Sequence, residues 1–185
     1  MSIVYLTSED FYIPKKENPS DHVKLCIKLR GLSFIYFSSD NCKHCEDFLP
    51  VFRKLPTIIG GCHFGTINVS KNMNVVKASS KSTTPIKYVP YCIMYIDGVP
   101  FMRYDGTRDI RQIKTFVFEI AGRLQRKTGP VVKDEFRGES MGNGLGSHRN
   151  VKHSDGDDNV PVYNLGGKPK NSEDVCFLTL NTAYN

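Results

Sequence analysis

Two cysteines stand two residues apart in "SSDNCKHCEDF", at Cys42 and Cys45, and that spacing admits three chemistries. The first is thiol–disulfide exchange: one sulfur attacks a substrate, and the other, two residues on, displaces it from the mixed disulfide without large strain. The second is half of a zinc site, which needs four ligands and usually draws two from a second Cys-x-x-Cys or a spaced His pair. The other candidates here are the isolated Cys26, Cys92 and Cys176 and the adjacent Cys62-His63, so no second knuckle is present. The third is a pair of buried thiols with no chemistry, because cysteine is among the most buried residue types. Cys62 and Cys92 sit in apolar strand contexts and read as core, and His63 as a satisfied, partly buried histidine.

For exchange, Cys42 is the expected attacking sulfur. It lies where an apolar strand gives way to a helix, and the unpaired N–H groups and positive dipole end of that helix favour thiolate over thiol. Lys43 and His44 add cationic character beside it, which stabilises the reduced pair and makes the disulfide more oxidising.

The elements that must position these sulfurs follow from hydrophobic periodicity. "LSFIYFSS" is a continuous apolar run of the kind buried on both faces of a sheet. From Lys43 onward Cys45, Phe48, Leu49, Phe52 and Leu55 recur at three and four, an amphipathic helix with Pro50 expected to kink it. "CHFGTINVS" reads as a strand, "KNMNVVKAS" as a short helix, and "YCIMYIDGVPFMRY" as two strands joined at Asp97-Gly98, a dipeptide with strong hairpin preference. Ile110, Ile113, Phe116, Val117, Ile120 and Leu124 predict a terminal helix. Near the N-terminus "SIVYLT" is a short strand running into a helix cap at "SED". "HVKLCIKL" reads as a strand with Val23, Leu25, Ile27 and Leu29 on one face, or as a short helix ended by Gly31.

Composition divides the 185 residues in two. Residues 1–129 carry 19 basic against 11 acidic side chains, net +8, whereas 130–185 carry 6 against 8, net −2. The lysines, as at Lys71, Lys77, Lys81 and Lys87, are scattered singly and read as solvated surface, not as a phosphate-reading face, so no specific nucleic acid is expected. After Pro130 the chain is rich in Gly, Ser, Asn and Asp and is expected to be a flexible tail, ending in a short uncharged β-prone run, "VCFLTL" (175–180), suited to adding a strand to a sheet edge. No basic segment followed by an apolar one opens the chain and no window approaches the roughly 20 apolar residues of a membrane span, so a cytoplasmic protein is expected, and with it a Cys-x-x-Cys used for redox or metal.

Together these residues resemble the thioredoxin superfamily, and within it the protein disulfide isomerase branch, over Ile3 to about Lys127. "IVYLTSEDF" resembles the family's opening strand and helix. "FSSDNCKHC" stands where the family carries its active site, and Pro50 at its helix-kinking proline. "TINVS" and "YVPYCIMYIDGVPFMRYDGTRDIRQIKTFV" resemble the later strands and closing helix. The resemblance implies a thioredoxin fold, a central mixed sheet flanked by helices, over 1–129. It implies a cis-proline site at Val89-Pro90, where Val89 pairs with a substrate peptide beside Cys42, and a role for Arg108, in "YDGTRD", in lowering the pKa of the resolving Cys45.

The histidine in "CKHC" tilts the expectation toward an oxidising or isomerising enzyme that needs no organic cofactor and acts on protein thiols. Three departures stand against the family pattern: Tyr36 at the position of a buried carboxylate, Thr66 at that of an assisting lysine, and Asn41 where a tryptophan usually precedes the first cysteine. A tyrosine does not serve as a base near neutral pH, so turnover is expected to be poor. Domains with such departures and an idiosyncratic tail resemble those encoded by large cytoplasmic DNA viruses, which implies a virion association. The alternative class is a structural or binding module on a thioredoxin-like scaffold, tied to a protein partner through residues 160–185.

Overall fold

The computed structural model describes residues 2–15, 22–128, 160–163 and 174–178. The tail expected to be flexible over 130–185 therefore lies, apart from two short stretches, outside the described residues.

Five strands build the frame: β1 (Val4–Tyr5), β4 (Leu32–Ser38), β5 (His63–Asn68), β7 (Tyr91–Ile96) and β8 (Val99–Tyr104). Two short pairs, β2 (Phe11–Tyr12) with β3 (Cys26–Ile27), and β6 (Tyr88–Val89) with β10 (Cys176–Phe177), lie outside it, and β9 (Val162–Tyr163) joins one edge. The main sheet has the order β1-β5-β4-β7-β8-β9, with β1, β5 and β4 parallel, β7 antiparallel to β4, β8 antiparallel to β7, and β9 parallel to β8. The helices are α1 (Lys43–Ile58), α2 (Met73–Ser79) and α3 (Ile110–Thr128). This is an α/β thioredoxin fold.

The central strand is the one with the unbroken apolar run. Ser33 through Phe37 are all fully buried, because β4 has a neighbour on each side and helices over it. Phe34 stands among the rings of Phe52, Phe64, Tyr104 and Phe116 at centroid separations of 5.7–6.2 Å, so β4, α1, β5, β8 and α3 share one aromatic core. The stripe on α3 is buried at Ile113, Phe116, Val117 and Ile120, with Ile110 and Leu124 at its half-buried ends. The hairpin turns at Asp97 (φ 49°) and Gly98 (φ 83°). Gly98 is required twice over, since a Cβ there would lie 2.3 Å from the Ile27 carbonyl oxygen.

Three local expectations are corrected. "SED" forms a single 3-10 turn, Ser8–Asp10, whose Asp10 carboxylate accepts from the Thr7 amide at 2.8 Å, and the chain passes straight into β2 instead of a helix. "HVKLCIKL" contributes only the two residues of β3: Leu25 and Ile27 are buried and Lys24 and Lys28 exposed, as the alternation expects, but Cys26 between the lysines is buried as well. His63 is exposed, at the outer end of β5. Lys71, Lys77, Lys81 and Lys87 are exposed, as expected of solvated surface. Among the described residues no helix is long and apolar enough to cross a membrane.

Candidate active site

The loop from β4 into α1 is fixed before the cysteines are reached. Val69 N–H donates to the Ser38 carbonyl at 2.7 Å, the Asp40 amide donates to Ser70 Oγ at 3.1 Å, and Asn68 Nδ2 donates to Asp40 Oδ1 at 2.6 Å, so the β5–α2 connection clamps this loop. Asn41 then takes a left-handed conformation, φ 57°, which asparagine tolerates better than most residues. The reversal delivers Cys42 to the N-cap of α1.

At that cap the Cys42 sulfur accepts from the Cys45 amide at 3.3 Å, and its carbonyl accepts from the amides of Cys45 and Glu46 at 2.9 and 3.0 Å. Its thiol also makes a long 3.9 Å contact to the Val89 carbonyl. Cys45 lies one turn further, its sulfur 2.6 Å from that of Cys42, and both are free thiols. Helix α1 runs on through Pro50 and Pro56, burying Phe48, Phe52 and Leu55. Lys43 is exposed and His44 half-buried.

Burial dominates the electrostatics. Both sulfurs are nearly inaccessible, and desolvation raises the Cys42 thiol above its ordinary range against the hydrogen bond from Cys176 and the Cys45 amide. Cys45 is likewise raised by burial, partly offset by hydrogen bonds from Cys42, the Ser39 backbone and Tyr36. The expectation of a thiolate favoured by the helix terminus is thus outweighed in this state by the cost of burying charge.

Tyr36 is completely buried, and its hydroxyl donates to the Cys45 carbonyl at 2.9 Å, with its ring edge-on to Phe48 at 5.0 Å. Burial pushes its own pKa far up, so it serves as donor and never as base. Thr66, its neighbour across the β4–β5 ladder, is also buried.

The Val89-Pro90 peptide is cis, and both residues are buried. Val89 is paired with Cys176 of the same chain, in antiparallel register with Phe177 opposite Tyr88. Arg108 donates through Nη2 to the Asp174 carbonyl at 2.6 Å, next to that strand. Cys42, His44, Cys45, Val89, Pro90 and Arg108 therefore gather around one end of the sheet, with β10 across them. As sequence, "VCFLTL" reads as a segment suited to docking, but nothing in it places Cys176 in the site. The signal available was a cysteine inside the one β-prone run of the tail. Among the described residues, no three His, Cys, Asp or Glu side chains are arranged to hold a metal ion.

No family model matches the chain. It is 34% identical over 155 residues, 84% of its length, to uncharacterized protein 196R of Invertebrate iridescent virus 6, covering 75% of that protein. It is 26% identical over 186 aligned residues to uncharacterized protein 020R of Invertebrate iridescent virus 3, covering 98% of this chain and 96% of that one. Among solved structures it is similar to the first two thioredoxin domains of Naumovozyma dairenensis Eps1p (21% identity, TM-score 0.43, 49% of this chain and 35% of that chain). It is similar as well to the zinc-bound form of human ERp44 (13% identity, TM-score 0.49, 63% of this chain). The chain spans 35% and 30% of the lengths of these two solved chains.

Proposed function

We propose, for a chain that belongs to one family with protein 196R of Invertebrate iridescent virus 6, the role of a thiol–disulfide oxidoreductase acting on protein substrates. Its chemistry is that of the disulfide isomerase branch, oxidising or reshuffling. The thiolate of Cys42 attacks a substrate disulfide, or its disulfide with Cys45 is attacked by a substrate thiol, and Cys45 closes or opens the pair. Val89 offers its backbone to the substrate strand beside Pro90. Arg108 brings positive charge to that end of the sheet, His44 stands beside the attacking sulfur, and Tyr36 hydrogen-bonds to Cys45 in place of a proton acceptor.

The observation that carries this reading is the 2.6 Å approach of the two sulfurs at the start of α1, facing the carbonyl of a residue followed by a cis proline. The family relationship supports work in the cytoplasm of an infected cell or in the virion. There, a protein assembled in a reducing compartment needs its own means of forming disulfides.

The test is exchange with a dithiol peptide and glutathione buffers. Cys42→Ser is expected to abolish it, and undiminished exchange would overturn the proposal. Titration of the pair against glutathione fixes the direction: about −180 mV marks an isomerase and about −270 mV a reductant.

One observation favours a second reading, a scaffold that binds a partner through residues 160–185. Tyr36 supplies no base to Cys45, which suits a site under little pressure to turn over. A pair that never oxidises across the glutathione range, together with partner binding lost on deleting 160–185, would support it.

A further inference from the structure

The tail strand lies where a substrate strand would lie. β10 is antiparallel to β6 with Cys176 opposite Val89, and Leu178 N–H extends the ladder to the Lys87 carbonyl at 3.0 Å. Phe177 stacks edge-on to Tyr88 at 6.4 Å, Val175 is buried, and Arg108 holds the Asp174 carbonyl. Backbone pairing supplies affinity in this mode of recognition, and alternate side chains enter pockets. Here the side chain directed to the site is a thiol. It lies within reach of the Cys42 sulfur and of the His44 backbone amide, as its place opposite Val89, whose carbonyl Cys42 contacts, requires.

We propose that Cys176 is a third redox cysteine: the tail strand is the site's built-in substrate, exchanging into a Cys42–Cys176 disulfide that external protein substrates must displace. The inference rests on the exchange chemistry of Cys42 proposed above. Starting from the oxidised pair, the Cys176 thiolate attacks the Cys42 sulfur, the Cys42–Cys176 bond forms, the Cys42–Cys45 bond breaks, and Cys45 leaves as a thiolate that takes up a proton. One disulfide is consumed and one formed, so no oxidant enters the step. Access then depends on the thiol supply, because a substrate thiol or Cys45 must win the sulfur back from a competitor that never diffuses away. Loose tethering alone gives an effective concentration in the millimolar range, and the ordered pairing seen here raises it.

Cys45→Ser removes the resolving thiol and isolates the step. The full-length reduced variant is mixed with oxidised glutathione, which forms a glutathione adduct at Cys42 with release of one glutathione; Cys176 then displaces the second. Acid quenching, alkylation and peptide mass mapping are expected to show Cys42 joined to Cys176, in about tenfold or greater excess over adduct at about 0.1 mM free glutathione. Adding Cys176→Ser should convert this product to the stable adduct. Wild-type protein equilibrated in the same buffer supplies a reading free of substitutions, the Cys42–Cys176 peptide pair beside Cys42–Cys45. A persistent adduct with free Cys176, or Cys176 linked between two chains, would overturn the inference and leave the exchange chemistry standing. A Cys42 that reacts with no disulfide at all would overturn both.

Discussion

Tyr36→Phe removes one hydroxyl and leaves the ring against Phe48 and Phe52, each at 5.0 Å, so its effect isolates that hydroxyl. Its hydrogen bond joins a completely buried tyrosine to the Cys45 carbonyl at 2.9 Å, and its loss is expected to cost about 1 kcal/mol, or about 3–5 °C of Tm for a domain of this size. A larger effect is expected on Cys45 itself. The same hydroxyl lies close enough to the Cys45 sulfur to turn to it when it ionises and so oppose its burial-raised pKa; without it Cys45 ionises less at a given pH. A hydrogen bond to an ionised group contributes about 1.5–3 kcal/mol, a factor of roughly 10–150 in thiolate population, but the scarcer thiolate is more nucleophilic, which offsets about half of the logarithm. Release of the second glutathione after mixing with oxidised glutathione should slow by about three- to tenfold at pH 7, with its pH profile displaced upward. The assay belongs in a Cys176→Ser background, so that Cys45 is the resolving thiol. An unchanged or faster release together with an unchanged Tm would refute the assignment of Tyr36 as the donor that serves Cys45.

Gly98→Ala should lower stability by at least about 1–3 kcal/mol, read as a shift in urea midpoint, since the turn demands positive φ and the new methyl meets the Ile27 carbonyl. Cys62 is pushed up to about 12 by burial from an ordinary 9.0, so the unfolded chain loses this proton first. Its contribution is complete below pH 9 and falls by about 1.4 kcal/mol per pH unit as pH rises toward 12. Cys62→Ala should therefore flatten the decline in stability between about pH 9 and about pH 11, and parallel declines in both proteins would contradict the shift. Arg108→Ala frees the Asp174 carbonyl; at about 1 kcal/mol for a partly solvated charge-assisted bond, alkylation of Cys42 should accelerate about fivefold, and no change would show that Arg108 does not hold β10.

What the sequence disclosed was local and periodic. The run from Ser33 to Phe37 announced a doubly covered strand, the stripes of α1 and α3 announced their buried faces, and Asp97-Gly98 announced its hairpin, because each signal sits within a few residues of its cause. The two-residue strands β2 and β3 carry no period long enough to read, and only their pairing makes them strands. Burial also inverted one expectation: the helix terminus at Cys42 and a strand-prone tail are both visible in the sequence, but not that the one closes over the other, and desolvation raises the thiol. The sequence assigns Arg108 a role toward Cys45 but not its contact with Asp174, which joins residues 66 positions apart, a distance over which no sequence pattern speaks.

The short strand β9 has a consequence for handling and for evolution of this chain. It lies parallel to β8 at one end of the sheet, with Arg103 N–H donating to the Pro161 carbonyl at 3.0 Å, while the opposite end is closed by the two-residue β1. An unprotected outer strand is a template for joining other chains edge to edge, and truncated or covered borders are how folded proteins avoid that fate. Residues 160–163 cover that outer strand, so fragments ending before residue 160 are expected to associate more readily than the full chain, read by sedimentation velocity; equal sedimentation of the two would contradict this. A lineage shortening this tail would have to blunt β8 some other way, with a charge, a proline or a bulge, before it could do without it.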